Sequence, residues 1–140
     1  MEPSGELWPQ TRQLLESLGF TYVSEEHNWG PKLAFRRGDL LVTIHFHNRD
    51  VWYYIEASHA GDPVIDLVTA ARALGADEDR LSKIFWQRLD DDVVTRQFAD
   101  YVLEFVESRL DSDAGRAELS DLVQRFRQEV REKLQLKADG

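Results

Sequence analysis

The chain has 140 residues, 42% of them hydrophobic and 31% charged, the size and balance of one globular domain with one core. Its net charge of −9 disfavours a nucleic-acid partner and suits either plain solubility or rapid capture of a basic protein. It has no cysteine, which excludes disulfides, thiolate metal sites and cysteine nucleophiles. No apolar run approaches membrane-spanning length, and the opening MEPSGELWPQ has neither a basic start nor an apolar stretch of a secretory leader. The expectation is therefore a cytoplasmic protein with no membrane contact.

The first predicted element is a helix over about 9–18. Pro9 suits a first helical turn, Leu14, Leu15 and Leu18 form an apolar side, and Gly19 supplies the stop. A strand is expected from about Phe20 to Ser24, followed by a loop or wide turn in the polar segment EEHNWGP.

Two hairpins come next. Gly38-Asp39 joins Leu33–Arg37 to Leu40–His47, and Asn48-Arg49 joins that strand to Val51–Ser58. A two-residue turn at Gly38-Asp39 pairs Phe35 with Val42 and Leu33 with Ile44. One at Asn48-Arg49 pairs Phe46 with Val51, Ile44 with Tyr53 and Val42 with Ile55. Because strand side chains alternate, these pairings agree on one core face: Leu33, Phe35, Val42, Ile44, Phe46, Val51, Tyr53 and Ile55. A three-residue second turn with a bulge would instead bring Trp52 inward.

From Asp62 the periodicity becomes helical. Asp62 and Pro63 are the expected cap and first residue of a helix containing Val64, Leu67, Val68, Ala71 and Leu74, ended by Gly75. Asp77 is expected to cap a second helix holding Leu81, Ile84, Phe85 and Leu89. The run Asp90–Asp92 separates it from a third, near Val93 to Leu110. After DSDAG a last long helix carries Leu119, Leu122, Val123, Phe126, Val130 and Leu134, with acids and arginines alternating on its other face. The order is one helix, an antiparallel meander of three to four strands over about 20–58, then three to four helices over about 63–136. Strands grouped before helices imply an α+β domain spanning 1–140.

The second face of this meander is the part that bears on function. It carries Lys32, Ala34, Arg36, Leu41, Thr43, His45, His47, Trp52, Tyr54 and Glu56, too many rings for a face left to water. Trp, Tyr and Arg are the residues enriched at interface hot spots. Either the later helices cover this face or a partner does. Trp52, Tyr54, His45, His47 and Arg36 form the expected contact set.

His45 and His47 point the same way on a strand and could share a metal, but no third ligand stands at a recognisable spacing and HExxH is missing. No metal and no cofactor is therefore expected. The acidic clusters sit at predicted helix ends, where acids cap, and lack the DxDxDG spacing of a calcium loop. Neither GxSxG nor a glycine-rich phosphate loop is present, so no catalytic residue is assigned. Trp8, Trp29 and Trp86 are expected to anchor loops and helices to the core.

A helix ending in LGF, the double hairpin AFRRGDLLVTIHFHNRDVWYYIEA and a helix DLVTAARALGA together resemble small bacterial proteins, some grouped as immunity proteins that neutralise a polymorphic toxin. The resemblance covers the first half of the chain and carries no site residue over. It implies a stoichiometric inhibitor without an active site. The leading expectation is thus a non-enzymatic cytoplasmic protein that binds a basic protein partner. The alternatives are an acidic secretion-type chaperone, which would be a homodimer, and a His-based metal-dependent enzyme.

Overall fold

The computed structural model describes residues 8–27, 30–47, 52–60, 62–86 and 91–139. Five helices and five strands follow in the order α1 (Pro9–Ser17), β1 (Thr21–His27), β2 (Pro31–Arg37), β3 (Leu40–His47), β4 (Trp52–His59), β5 (Ile65–Asp66), α2 (Leu67–Ala73), α3 (Glu78–Trp86), α4 (Asp91–Leu110) and α5 (Asp113–Asp139). The strands form one antiparallel sheet in chain order, so every neighbour in space is a neighbour in sequence. The fold is α+β, with an N-terminal helix, a meander and then helices packed on it.

α1 ends as its sequence dictates. Gly19 takes φ +91°, its amide reaches the Glu16 carbonyl at 3.0 Å, and the Phe20 amide reaches that of Leu15 at 3.0 Å. That is a Schellman close, and Gly75 (φ +103°) repeats it after α2 with Ala76 bonded to Ala71. The first hairpin turns at Gly38, φ +61°, and pairs Leu33 with Ile44 and Phe35 with Val42, as predicted.

The second hairpin departs from the expected register by two residues. Phe46 faces Tyr53, Ile44 faces Ile55 and Val42 faces Ala57. Since His47 pairs with Trp52, four residues rather than two connect the strands. A shift of two preserves side-chain parity, so the same residues still point inward. Val51, expected on the core face, lies outside the described residues, as do Trp29 and the side chains of Phe85 and Trp86.

Three further expectations are corrected. β1 continues through Glu25, Glu26 and His27, a stretch read as loop. These polar residues are tied down across the ladder and to α1: Arg12 to Glu25 at 2.9 Å, Lys32 to Glu26 at 3.5 Å. Asp62 and Pro63 do not open α2. Ile65 and Asp66 first add a fifth strand beside β4, and the Asp66 carboxylate then accepts the Val68 and Thr69 amides at 3.1 Å each. Asp92, expected in a polar separator, is buried inside the first turn of α4.

That burial solves a problem at α1. Its preceding residue, Trp8, has φ 54° and offers no side-chain cap. The Asp92 carboxylate supplies one from 81 residues away, accepting the Gln10 amide at 2.7 Å and the Thr11 amide at 2.9 Å. Trp8 is itself buried and meets Phe46 edge-on at 6.0 Å, the anchoring role expected of it. α1 lies against β1, α2 against β4, and α4 against β3 and β4, where Phe98 meets Tyr53 at 5.2 Å. One hydrophobic core joins Leu33, Phe35, Val42, Ile44 and Ile55 to these helices. No helix among the described residues is long and apolar enough to cross a membrane.

Candidate interaction face

Alternation along β2, β3 and β4 decides what each side chain meets. Leu33, Phe35, Val42, Ile44, Ile55 and Ala57 are fully buried on the helix side. The residues between them point to the opposite, open side. There Arg36 is exposed, Lys32, Leu41, Tyr54 and Ser58 are half-buried, and the His45 and Glu56 side chains are 27% and 25% exposed. Among the described residues, apart from the short Ala34 and Thr43, this side is half-buried to exposed where the helix side is fully buried.

Ala34 and Thr43, paired across β2 and β3, are short and form a closed floor. Around it stands a network of longer groups. His45 Nε2 lies 3.3 Å from Glu56 Oε1, and its ring meets Tyr54 edge-on with centroids 5.5 Å apart. The His45 hydrogen bond holds the Glu56 carboxyl below the usual carboxylate range, against the opposing effect of partial burial; the Lys32 charge and a bond from Tyr54 help. Tyr54 is shifted the other way. Partial burial comes first, then the negative charges of Asp66 and Glu56, and together they raise its phenol above the ordinary value despite Arg127 beside it. Arg127 reaches in from α5 and donates to Asp66 Oδ2 at 3.1 Å, closing the β5 edge of the network.

Of the expected contact set, His45, Tyr54 and Arg36 share this side by register, but they are not one cluster. His45 and Tyr54 are direct cross-strand partners. His47 and Trp52 pair across the hairpin end, and their side chains lie outside the described residues. Arg36 is opposite Leu41, at the far end of the face. The strand rise puts the two ends about 20 Å apart, and five strands span about 19 Å across. Such a surface is broad and shallow. It is near neutral too: Lys32, Arg36 and Arg127 balance Glu26, Glu56 and Asp66, so the acidity of the chain resides elsewhere. Lys32 and Glu56 stood on the predicted face without being singled out. Asp66 and Arg127 were missed altogether, because only the packing of α5 against the sheet edge brings them there.

Among the described residues, no group of three or more His, Asp or Glu gathers at metal-holding distance. Comparison with protein-family models, with curated proteins and with solved structures finds no match.

Proposed function

We propose that this chain is a non-enzymatic binding protein of the cytoplasm that receives a basic protein partner on the open face of its sheet, as an immunity protein receives its toxin. The observation that carries this reading is the second face, more open than the helix side. His45, Glu56 and Tyr54 contact one another within it, and its strands extend over about 20 Å, the extent of a protein interface rather than of a small-molecule cleft. His45, Glu56 and Tyr54 are held by mutual contacts, so the face is ordered before a partner arrives, which lowers the cost of binding. The net charge of −9 favours a basic partner by raising the encounter rate, while the near-neutral open face supplies the short-range fit.

The test is co-expression with the product of the adjoining gene and titration of the purified pair. Substituting Tyr54→Ala together with Arg36→Ala is expected to weaken the complex at least tenfold, about 1.4 kcal/mol. Asp100→Ala, on the exposed side of α4, is expected to leave affinity unchanged. Equal affinities for the wild-type chain and the double variant would remove the open face from the interaction. Association that does not slow with added salt would remove the charge argument.

A further inference from the structure

The 27-residue helix α5 runs off the body of the protein. Leu119 and Val123 are buried and Phe126 is half-buried, but every other residue from Gln124 to Lys137 is exposed, including Val130 at 41% and Leu134 at 63%. This bare end also differs in charge. Positions 124–137 hold five of the 17 basic residues and two of the 26 acidic ones, a net +3 in a chain of net −9. The first part of the same helix, 113–123, is net −2, with Asp113, Glu118 and Asp121 against Arg116.

Beside that acidic part lies a pocket of about 310 Å³, between the first turns of α5 and the segment leading into β5. Pro63, Ile65 and Ala117 give it apolar walls; Asp62 and Asp113 stand around it on either side of Arg116, which pairs with both, and Asp121 pairs with Arg125 at 2.6 Å, so three carboxylates line it against one guanidinium. Ala117, Ser120 and Gln124, which line it, continue along one flank of the helix as Arg127, Arg131 and Leu134, in steps of three and four residues. One flank of one helix thus carries an acidic pocket at its start and a basic, leucine-bearing end. Leu134 is about 26 Å from Ala117 on a rigid rod, so beyond the Arg125–Asp121 pair at 2.6 Å the basic end does not reach the pocket within one chain.

We propose that the occupant of this flank is a second copy of the chain, with the two α5 helices antiparallel about a two-fold axis near Gln124. That axis carries Leu134 of each copy to within a turn of the other's Asp113 and Ala117, at the pocket. It carries Arg131 to within a turn of the other's Asp121. Each copy offers its basic end to an acidic pocket and its pocket to a basic end, so the contact is made twice, as an isologous interface requires. Arg127 lies on this flank as well but is held by Asp66 to its own sheet. Apart from Arg127 at its β5 edge, the open sheet face takes no part, so this inference does not rest on the function proposed above.

Sedimentation equilibrium on the full chain tests it. A dimer is expected that weakens as salt is added. Leu134→Glu is expected to raise its dissociation constant at least tenfold, whereas Leu136→Glu, at the most exposed apolar residue (71%) but off the flank, leaves it unchanged. Both positions are exposed, so neither substitution threatens folding, and circular dichroism checks this. Arg131→Glu is expected to weaken the dimer, and adding Asp121→Lys to the same chain to restore it. A monomer up to high micromolar concentration, a dimer indifferent to Leu134→Glu, or failure of the charge-reversed chain to recover would each overturn the proposal. So would a monomer that needs Leu134 to hold a different protein.

Discussion

β3 carries two histories in alternate residues. Val42, Ile44 and Phe46 face the helices and are almost entirely removed from water, while His45 faces the open side among charged groups. The backbone between them is shared, so the difference comes only from what lies against each face. On the covered side free energy comes from apolar area removed from water. On the open side the groups are partly hydrated, and their pairings contribute little to stability. Residues one position apart in sequence should therefore respond very differently to the same substitution.

The largest contrast is between Ile44→Ala and Arg36→Ala. The first opens a cavity in a fully buried layer and is expected to cost about 2–5 kcal/mol in urea unfolding; the second should stay within about 0.5 kcal/mol. Comparable midpoints for the two variants would break the distinction between the faces.

Asp92→Ala comes next. It leaves one buried and one half-buried amide of α1 without an acceptor and is expected to cost about 1–3 kcal/mol. Asp77→Ala, which removes an exposed cap bonded to the Asp79 amide at 3.0 Å, should cost about 1 kcal/mol or less. Thermal unfolding of both variants measures whether a cap delivered from a distant, buried site outweighs a local one in water.

The smaller effects sharpen the open side. Glu56 is held below the usual carboxylate range when folded and returns to it when unfolded. Its contribution to stability is thus present above that range and is lost as pH falls through the lowered folded value. Glu56→Gln is expected to flatten the acid limb of the stability profile. Tyr54 is shifted upward, so the folded state favours the neutral phenol. That contribution is present below the ordinary tyrosine value and is lost as pH rises through the folded one. Tyr54→Phe is expected to flatten the alkaline limb, and the tyrosinate absorbance of the wild-type chain reports the same shift directly.

Several of these features were legible in the chain. Gly38-Asp39 set the first hairpin to the residue, because a two-residue turn leaves one register. Asn48-Arg49 carried the same kind of signal and misled by two positions. Short-range turn chemistry cannot see the longer connection, but alternation absorbed the error and Ile55 remained inside. Asp62-Pro63 looked like a helix opening, yet Ile65 and Asp66 had an unfilled sheet edge beside β4 to pair with, and the cap moved to Asp66. In β1, acids that read as loop found cations on α1 and β2. The contact set was legible as a shared side of the sheet, whereas its grouping around His45, Tyr54 and Glu56 was not, since the register error hid who faces whom.

Sequence alone determined the order of elements apart from β5, the parity of the strands and the α+β class. These depend on periodicity and on the backbone preference of glycine, which act over a few residues. Tertiary structure alone decided that Asp92 caps α1 and that Arg127 closes the open face at Asp66. Each of those joins groups tens of residues apart, and such a pairing is set by how the helices dock on the sheet, a choice made by the whole core at once.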